Sequence, residues 1–217
     1  MAFLYNWFVK ITGFIPQWIT LRIKVYYEDK SKQSRKIRGK AIVISNHITV
    51  MDFAVMMFVF LGRTLRCVTA EILYTKNIFL TWFLNLAGAI KVDRNVHDFD
   101  FISKCKKILD KGGVVEIYPE ARIPDKSEQR PIAFKPSAVY LALESQAPII
   151  PIYTTGPRYF ERPTRVIIGC PIDVFELYDD DLSEKENIEI ITKHLHSVVL
   201  GLKEKLESIE NQEERKK

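Results

Sequence analysis

Short apolar runs alternate with amphipathic segments along most of the chain, and this alternation predicts strands and helices in turn. The apolar runs predict strands at 41–45, 65–69, 89–94, 114–118, 149–153 and 165–169. Apolar residues at helical spacing predict helices at 53–61, 78–84, 97–110 and 138–145, and a long one beginning at a capping box of Ser183 and Glu186. We therefore predict an α/β fold: a single domain with a central, mostly parallel or mixed β-sheet flanked by helices.

The first 28 residues are the most hydrophobic and aromatic part of the chain. Phe3, Trp7 and Ile11 share helical spacing, but residues such as Pro16 interrupt the segment. A spanning helix needs about 20 uninterrupted apolar residues, and the pattern of a signal peptide is also missing. Because Trp and Tyr favour the level of the lipid headgroups, we predict a membrane-associating helical segment at 1–28. The alternative is an ordinary helix packed on the core.

Composition and charge narrow the classes of partner. The 217 residues suffice for one domain, which we place at 29–210 and follow with a disordered, charged tail at 211–217. A net charge of +5 and a basic stretch at 30–40 favour an anionic partner, such as a membrane surface or a phosphorylated substrate. No helix-turn-helix, RNP or zinc-finger spacing is visible, so we predict no nucleic-acid partner. Three cysteines at wide, unpatterned spacings are typical of reduced core residues, and they predict neither disulfides nor a metal site.

A histidine and an aspartate follow the strand predicted at 41–45. His47 comes just after the strand, and Asp52 lies five residues on, where a helix begins. In a regular helix this separation would turn the two side chains about 140° apart, so they meet only if His47 lies outside the helix. A carboxylate that holds one ring nitrogen leaves the other free to take a proton from a hydroxyl, so the pair is a candidate base with its orienting group. The alternative is a capping box of Thr49 and Asp52, which is compatible with the catalytic interpretation.

Charged residues also follow two other predicted strands. Arg94 ends the strand at 89–94, and Glu120 and Arg122 come directly after the strand at 114–118. A parallel-type sheet would bring these ends and His47 to one rim, where α/β folds bind ligands. The alternative for each residue taken singly is a surface charge, and that alternative is weaker for the three strand ends taken together.

The order of these motifs resembles the glycerolipid acyltransferase family typified by 1-acyl-sn-glycerol-3-phosphate acyltransferases. Four sequence blocks, covering about residues 40–156, carry the resemblance. They are Asn46-His47 through Asp52, Gly88 through Asp93-Arg94, Tyr118-Pro119-Glu120-Ala121-Arg122 and Ile149-Ile150-Pro151-Ile152. One departure is Ala121, which stands where the family usually has glycine. Its methyl group would narrow a place where the backbone approaches substrate closely.

The resemblance implies transfer of an acyl chain from acyl-CoA or acyl-carrier protein to the free hydroxyl of a lysophospholipid, with 1-acyl-sn-glycerol-3-phosphate as the favoured acceptor. His47 would be the general base and Asp52 its orienting group. Arg94 and Arg122 would bind the acceptor's phosphate, and Lys135 would contact phosphate or CoA. Glu120 would bind a glycerol hydroxyl or orient an arginine. No metal or other cofactor is implied, and the enzyme would work at the cytoplasmic face of the membrane.

Three alternatives remain open at the level of sequence. The acceptor can be another lysophospholipid or a lyso-ornithine lipid. A non-catalytic lipid-binding protein on the same scaffold would have no need of the base and orienting group at His47 and Asp52. A thioester hydrolase would have no need of two arginines placed for phosphate.

Overall fold

Seven strands lie side by side in one sheet in the computed structural model, which describes residues 2–76, 78–92, 100–125 and 127–215. The strands, in chain order, are β1 (Lys24–Tyr27), β2 (Ala41–Ser45), β3 (Leu65–Ala70), β4 (Ile90–Val92), β5 (Val114–Ile117), β6 (Ile149–Thr154) and β7 (Arg165–Ile168). Their spatial order is β1-β7-β6-β2-β5-β3-β4. All pairs are parallel except β6 with β7, which confirms the predicted mostly parallel or mixed sheet.

In the part of the chain that the structure describes, seven α-helices accompany the sheet. They are α1 (Ala2–Thr20), α2 (Asp52–Val59), α3 (Ile72–Lys76), α4 (Ile78–Ala87), α5 (Asp100–Asp110), α6 (Ser137–Ser145) and α7 (Glu184–Arg215). A short 3-10 helix spans Val174–Leu177. The capping box predicted for the last helix is present, because the Ser183 hydroxyl and backbone N–H both donate to Glu186.

The alternation of side chains along the strands divides the core between the two faces of the sheet. Ile42 and Ile44 of β2 belong to the larger cluster, which α5, α6 and α7 cover. Val43, between them, points to the other face and packs with α2. The central strands are therefore buried on both sides, which explains why they read as continuous apolar runs in the sequence.

Helix α1 packs on the α2 side of the molecule through a few polar or small residues. The Lys10 ammonium donates to the carbonyls of Phe60 and Leu61 just beyond the end of α2, at 3.2 and 3.0 Å. Large apolar side chains on the rest of α1 stay exposed, namely Phe3, Leu4, Trp7, Phe8, Ile11, Phe14, Ile15, Trp18 and Ile19. Within the described residues, no helix combines the length and the apolar character needed to cross a membrane.

The structure corrects two predicted boundaries. The segment predicted to be helical at 1–28 includes β1, an edge strand whose four residues pair in parallel with β7. The tail predicted to be disordered from 211 continues helix α7 as far as Arg215, because Glu213 accepts hydrogen bonds from Tyr26 of β1 and Arg165 of β7. The hydrogen bonds of Glu213 to these two strands stabilise the last turns of α7. Residues 216–217 lie outside the described residues.

Candidate active site

The predicted base and its orienting group meet at the carboxyl end of β2. His47 lies in the loop after the strand and Asp52 is the first residue of α2, so the two are not on one helix. Nδ1 of His47 lies 2.9 Å from Oδ2 of Asp52. The same oxygen accepts the backbone N–H groups of Ile48 and Thr49 at 2.6 and 2.8 Å. A carboxylate oxygen with these contacts is an acceptor, so Nδ1 carries the proton and Nε2 is left to act as a base.

The predicted capping box at the start of α2 is only half formed. The Asp52 carboxylate accepts the Thr49 N–H, but the Thr49 hydroxyl accepts the N–H of Met51, at 3.1 Å, instead of that of Asp52. The Asp52 side chain is completely buried. Its negative charge is stabilised by the backbone N–H groups and by the positive end of the α2 dipole. Helix capping and the orientation of the imidazole are thus two uses of one carboxylate.

Glu120 holds the backbone of His47 from the next strand of the sheet. It lies beyond the end of β5, and its Oε1 accepts the N–H of His47 at 2.8 Å. Its Oε2 faces the N–H of Ile132 at 3.4 Å. Burial raises the pKa of Glu120, and these two hydrogen bonds oppose the shift. In the structure, the Glu120 carboxyl group therefore fixes the main chain at His47. The sequence analysis did not anticipate this contact.

Asn46 ties the residue before His47 to β6, the neighbouring strand on the other side. Its side-chain amide donates to the carbonyl of Thr154 at 3.0 Å and accepts the N–H of the same residue at 2.8 Å. Asn46 and Thr154 are both buried. The amide thus satisfies two backbone groups at a strand end, and it fixes the position from which the His47 loop departs. An asparagine directly before the histidine was the only signal of this in the sequence.

Ala121 adopts a left-handed backbone conformation, with a φ of 58°, in the turn after Glu120. The turn closes with a hydrogen bond from the Ala121 N–H to the carbonyl of Tyr118 at 3.0 Å. A left-handed φ favours glycine and costs an L-residue about 1–2 kcal/mol. The glycine that the family usually has here fits this conformation, and the alanine keeps it at a cost.

Arg122 and Lys135, two of the residues predicted to bind phosphate, are exposed to solvent. Arg122 is exposed and forms a two-pronged ion pair with Glu128 of its own loop, at 2.6 and 2.5 Å. The hydrogen bonds from Arg122 lower the pKa of Glu128 to about 2. Lys135 is also exposed, and its backbone N–H donates to the carbonyl of Pro119 at 2.7 Å. Arg94 lies in 93–99, outside the described residues.

The Tyr118 ring packs against one face of the His47 imidazole. The rings of Tyr118 and His47 are stacked, with centroids 4.3 Å apart and an interplanar angle of 18°. The Tyr118 hydroxyl donates to Glu116 at 2.5 Å. Sequence analysis names Tyr118 only as part of the third block and assigns no role to Tyr118 or to Glu116, the glutamate inside the apolar run at 114–118. Within the described residues, no group of three or more His, Cys, Asp or Glu side chains is placed to hold a metal ion.

Comparison with known proteins identifies the family. The Acyltransferase family model matches residues 22–155, which is more than half of the chain. The chain belongs to the Acyltransferase family. The resemblance inferred from the four sequence blocks is thereby confirmed, and the matched region of this family member includes His47, Asp52, Glu120 and Arg122.

Two curated human relatives carry the name of one reaction. Human 1-acyl-sn-glycerol-3-phosphate acyltransferase beta is 24% identical over 170 residues, which are 74% of this chain and 58% of that protein. The human alpha enzyme is 32% identical over 123 residues, which are 55% of this chain and 42% of that protein. This family member therefore spans about half the length of the curated relatives it matches.

A solved structure shares the fold. The 1-acyl-sn-glycerophosphate (LPA) acyltransferase PlsC from Thermotoga maritima superposes with a TM-score of 0.58 at 16% sequence identity. The similarity covers 91% of this chain and 79% of the Thermotoga protein. At this level of identity the likeness establishes the α/β architecture of this family member.

Proposed function

We propose that the protein transfers a fatty acyl group from acyl-CoA or acyl-carrier protein to the free hydroxyl of 1-acyl-sn-glycerol-3-phosphate. The observation that carries the proposal is the His47–Asp52 pair, which lies at the carboxyl end of a parallel strand in a chain of this family. A hydroxyl is a weak nucleophile at neutral pH, and a histidine base oriented by a carboxylate is a means of activating it.

The reaction can be followed atom by atom from this pair. Nε2 of His47 removes the proton of the acceptor hydroxyl as the oxygen attacks the thioester carbonyl carbon. The tetrahedral intermediate collapses, the C–S bond breaks, and the thiolate takes the proton back from the imidazolium. Asp52 stabilises the positive charge that the imidazole carries between the two steps. Ester and free thiol are the products, and no acyl-enzyme forms.

Recognition of the acceptor is assigned to the arginine and lysine side chains at the rim. A guanidinium can bind a phosphate through two parallel hydrogen bonds, and Arg122 already makes this kind of contact with the carboxylate of Glu128. A phosphate bound at Arg122 would take the place of Glu128. We assign a weaker phosphate or CoA contact to Lys135 and keep Arg94 as a predicted phosphate ligand.

Membrane association follows from the surface around α1. Its exposed apolar side chains lie beside those of α4, where Ile78, Phe79 and Trp82 are also exposed. Tyr5 of α1 contacts the rings of Trp82 and Phe83 edge-on, so the two helices form one surface. We infer that this surface rests on the lipid bilayer at its cytoplasmic face, where water-soluble acyl donors would be available.

The test is thiol release from palmitoyl-CoA with and without lysophosphatidate, for the wild-type protein and His47→Ala in detergent. The exposed, remote substitution His194→Ala serves as the matched control. We expect release that depends on the acceptor, is lost in His47→Ala and is retained in the control. Release without acceptor would show a hydrolase. If no acceptor and neither class of donor gives release, the proposal is wrong and a lipid-binding protein takes its place.

A further inference from the structure

The buried carboxyl group of Glu116 has no part in the chemistry proposed above. Glu116 lies in β5, an interior strand of the sheet, and only 1% of its surface is exposed. Burial of a carboxyl group destabilises a fold unless the group is neutral or well hydrogen-bonded. A strongly perturbed titratable group next to a candidate site calls for a functional explanation.

Glu116 is connected to His47 through the side chain of Tyr118. Tyr118 directly follows β5 and is two residues from Glu116, and its hydroxyl donates to Oε1 of Glu116 at 2.5 Å. The ring of Tyr118 in turn lies flat against the imidazole of His47. The hydrogen bond fixes the phenol ring, and the phenol ring limits rotation of the imidazole.

We propose that Glu116 is a positioning residue for the base: it anchors the Tyr118 ring, and that ring holds the His47 imidazole in the plane of its hydrogen bond to Asp52. The inference rests on the proposed function, in which His47 is the base. Asp52 fixes one ring atom and Glu120 fixes the backbone N–H, but neither contact holds the face of the ring. Without the Tyr118 ring packed on that face, the imidazole would lose part of the alignment that proton transfer requires.

The charge state of the buried groups is consistent with a supporting role. Burial raises the pKa of Glu116 to about 8, so its carboxyl group is neutral at neutral pH. The titratable groups that face it are Tyr118 just after its own strand, Cys67 on β3 and Asp52 on α2. Burial also raises the pKa values of Cys67 and Tyr118, so both stay protonated. Glu116 therefore supports the ring without placing a second negative charge beside the imidazole.

The experiment separates anchoring from simple core packing with four variants. Tyr118→Phe keeps the ring and removes the hydroxyl, and Glu116→Leu removes the acceptor while filling its space. Glu116→Gln retains an oxygen that accepts the hydroxyl proton and is the conservative rescue. Ile117→Val is the matched control, because Ile117 is buried on the same strand but faces the opposite side of the sheet.

Two readouts are measured for each variant. The first is kcat and KM for the acceptor, and the second is the chemical shift of the His47 ring in histidine-labelled protein, assigned with His47→Ala. We expect Glu116→Leu and Tyr118→Phe to lower kcat about tenfold at nearly constant KM, and to move the His47 resonance as the ring contact loosens. Glu116→Gln should retain most of the wild-type kcat and keep the His47 resonance close to its wild-type position. The double variant should lose no more than the worse single variant, because the two act as a unit.

The proposal is overturned if Glu116→Leu and Tyr118→Phe lower only the melting temperature, as Ile117→Val does, and leave kcat and the His47 resonance unchanged. The resonance is measured without substrate. If the wild-type protein fails to transfer acyl groups, the resonance still tests whether the pair holds the ring, so failure of the proposed function is distinguishable from failure of this inference.

Discussion

The two halves of the candidate site are built in opposite ways. On the catalytic side, Asp52, Glu120 and Asn46 are buried, and each accepts hydrogen bonds from backbone N–H groups, which for Glu120 and Asn46 belong to distant segments of the chain. On the recognition side, Arg122 is exposed and its hydrogen bonds go to Glu128, six residues along the same loop. The first half depends on buried contacts, two of which join distant parts of the chain, and the second on a local contact that solvent can reach.

This difference follows from what each half must do. Proton transfer needs a fixed geometry, which buried hydrogen bonds provide because they have no competing water. Binding of a charged headgroup needs partners that can be exchanged, and an exposed ion pair is screened enough to open easily. Substitutions on the catalytic side should therefore lower kcat or stability, and those on the recognition side should change KM.

The largest effect is expected from Asp52→Asn. The variant keeps the shape of the side chain and removes the charge that orients and stabilises the imidazole, so kcat should fall about a thousandfold. The measurement is kcat at saturating acceptor, with circular dichroism to confirm folding. Glu186→Gln is the matched control, because the Glu186 carboxylate also accepts a backbone N–H from the residues before a helix, in this case α7. If His47→Ala plus Asp52→Asn is far slower than His47→Ala alone, the two residues do not act as a unit.

The next effect concerns stability at the strand ends. Asn46→Ala leaves the buried N–H and carbonyl of Thr154 without their partner, so the free energy of unfolding should fall by about 3 kcal/mol. Urea unfolding followed by fluorescence measures it. The exposed Asn85→Ala on α4 is the control, with an expected change within about 0.5 kcal/mol. Equal unfolding midpoints for Asn46→Ala and wild type would show that the catalytic half is not held by this pair.

A third prediction is the pH dependence of stability that Glu116 imposes. Its pKa rises from 4.5 to about 8 on folding, so between these values the folded chain keeps a proton that the unfolded chain has lost. Stability due to this group therefore falls as pH rises through the window and is level above it. As the pH rises through this window, the free energy of unfolding of Glu116→Gln should increase relative to that of the wild-type protein by up to about 1.4 kcal/mol per pH unit.

Urea unfolding of both proteins between about pH 5 and pH 9 checks the prediction. Glu144→Gln on the surface of α6 is the control and should run parallel to the wild-type protein. A constant difference between Glu116→Gln and wild type over this range would mean that Glu116 is ionised in the folded state.

The fold was largely predictable because its signals are local. The run at 41–45 is apolar up to its last residue, Ser45, since β2 is covered on both faces, and its bounds agree with the structure. The edge strand β1 was missed, because four half-exposed residues inside an aromatic segment lack a distinctive pattern. The end of α7 was missed because charge composition does not reveal that Glu213 meets β1 and β7.

The candidate site was predictable only in part. His47 and Asp52 are five residues apart and at the boundary of a strand and a helix, so sequence spacing was enough to pair them. The bond between Asn46 and Thr154 spans 108 positions, and that between His47 and Glu120 spans 73. No local pattern encodes such contacts. Arg122 and Glu128 are only six residues apart, so their pairing is local. The sequence contains no signal that favours this pair over pairs with other nearby charged residues.

The smallest effect is expected on the recognition side, from Glu128→Gln. Whether this substitution lowers or raises the KM for lysophosphatidate shows what Glu128 does. Arg122→Gln should raise the KM for lysophosphatidate about tenfold with little change in kcat, because the contact proposed for the guanidinium is with the headgroup and not with the reacting atoms. If Glu128 occupies the place of the phosphate, Glu128→Gln should lower the same KM about two- to fivefold, since an exposed pair competes weakly. Lys106→Gln, which removes an exposed cation paired with Asp110 on α5, controls for net charge. A higher KM in Glu128→Gln would mean that Glu128 holds Arg122 in place for the substrate, and the recognition half would then be preorganised like the catalytic one.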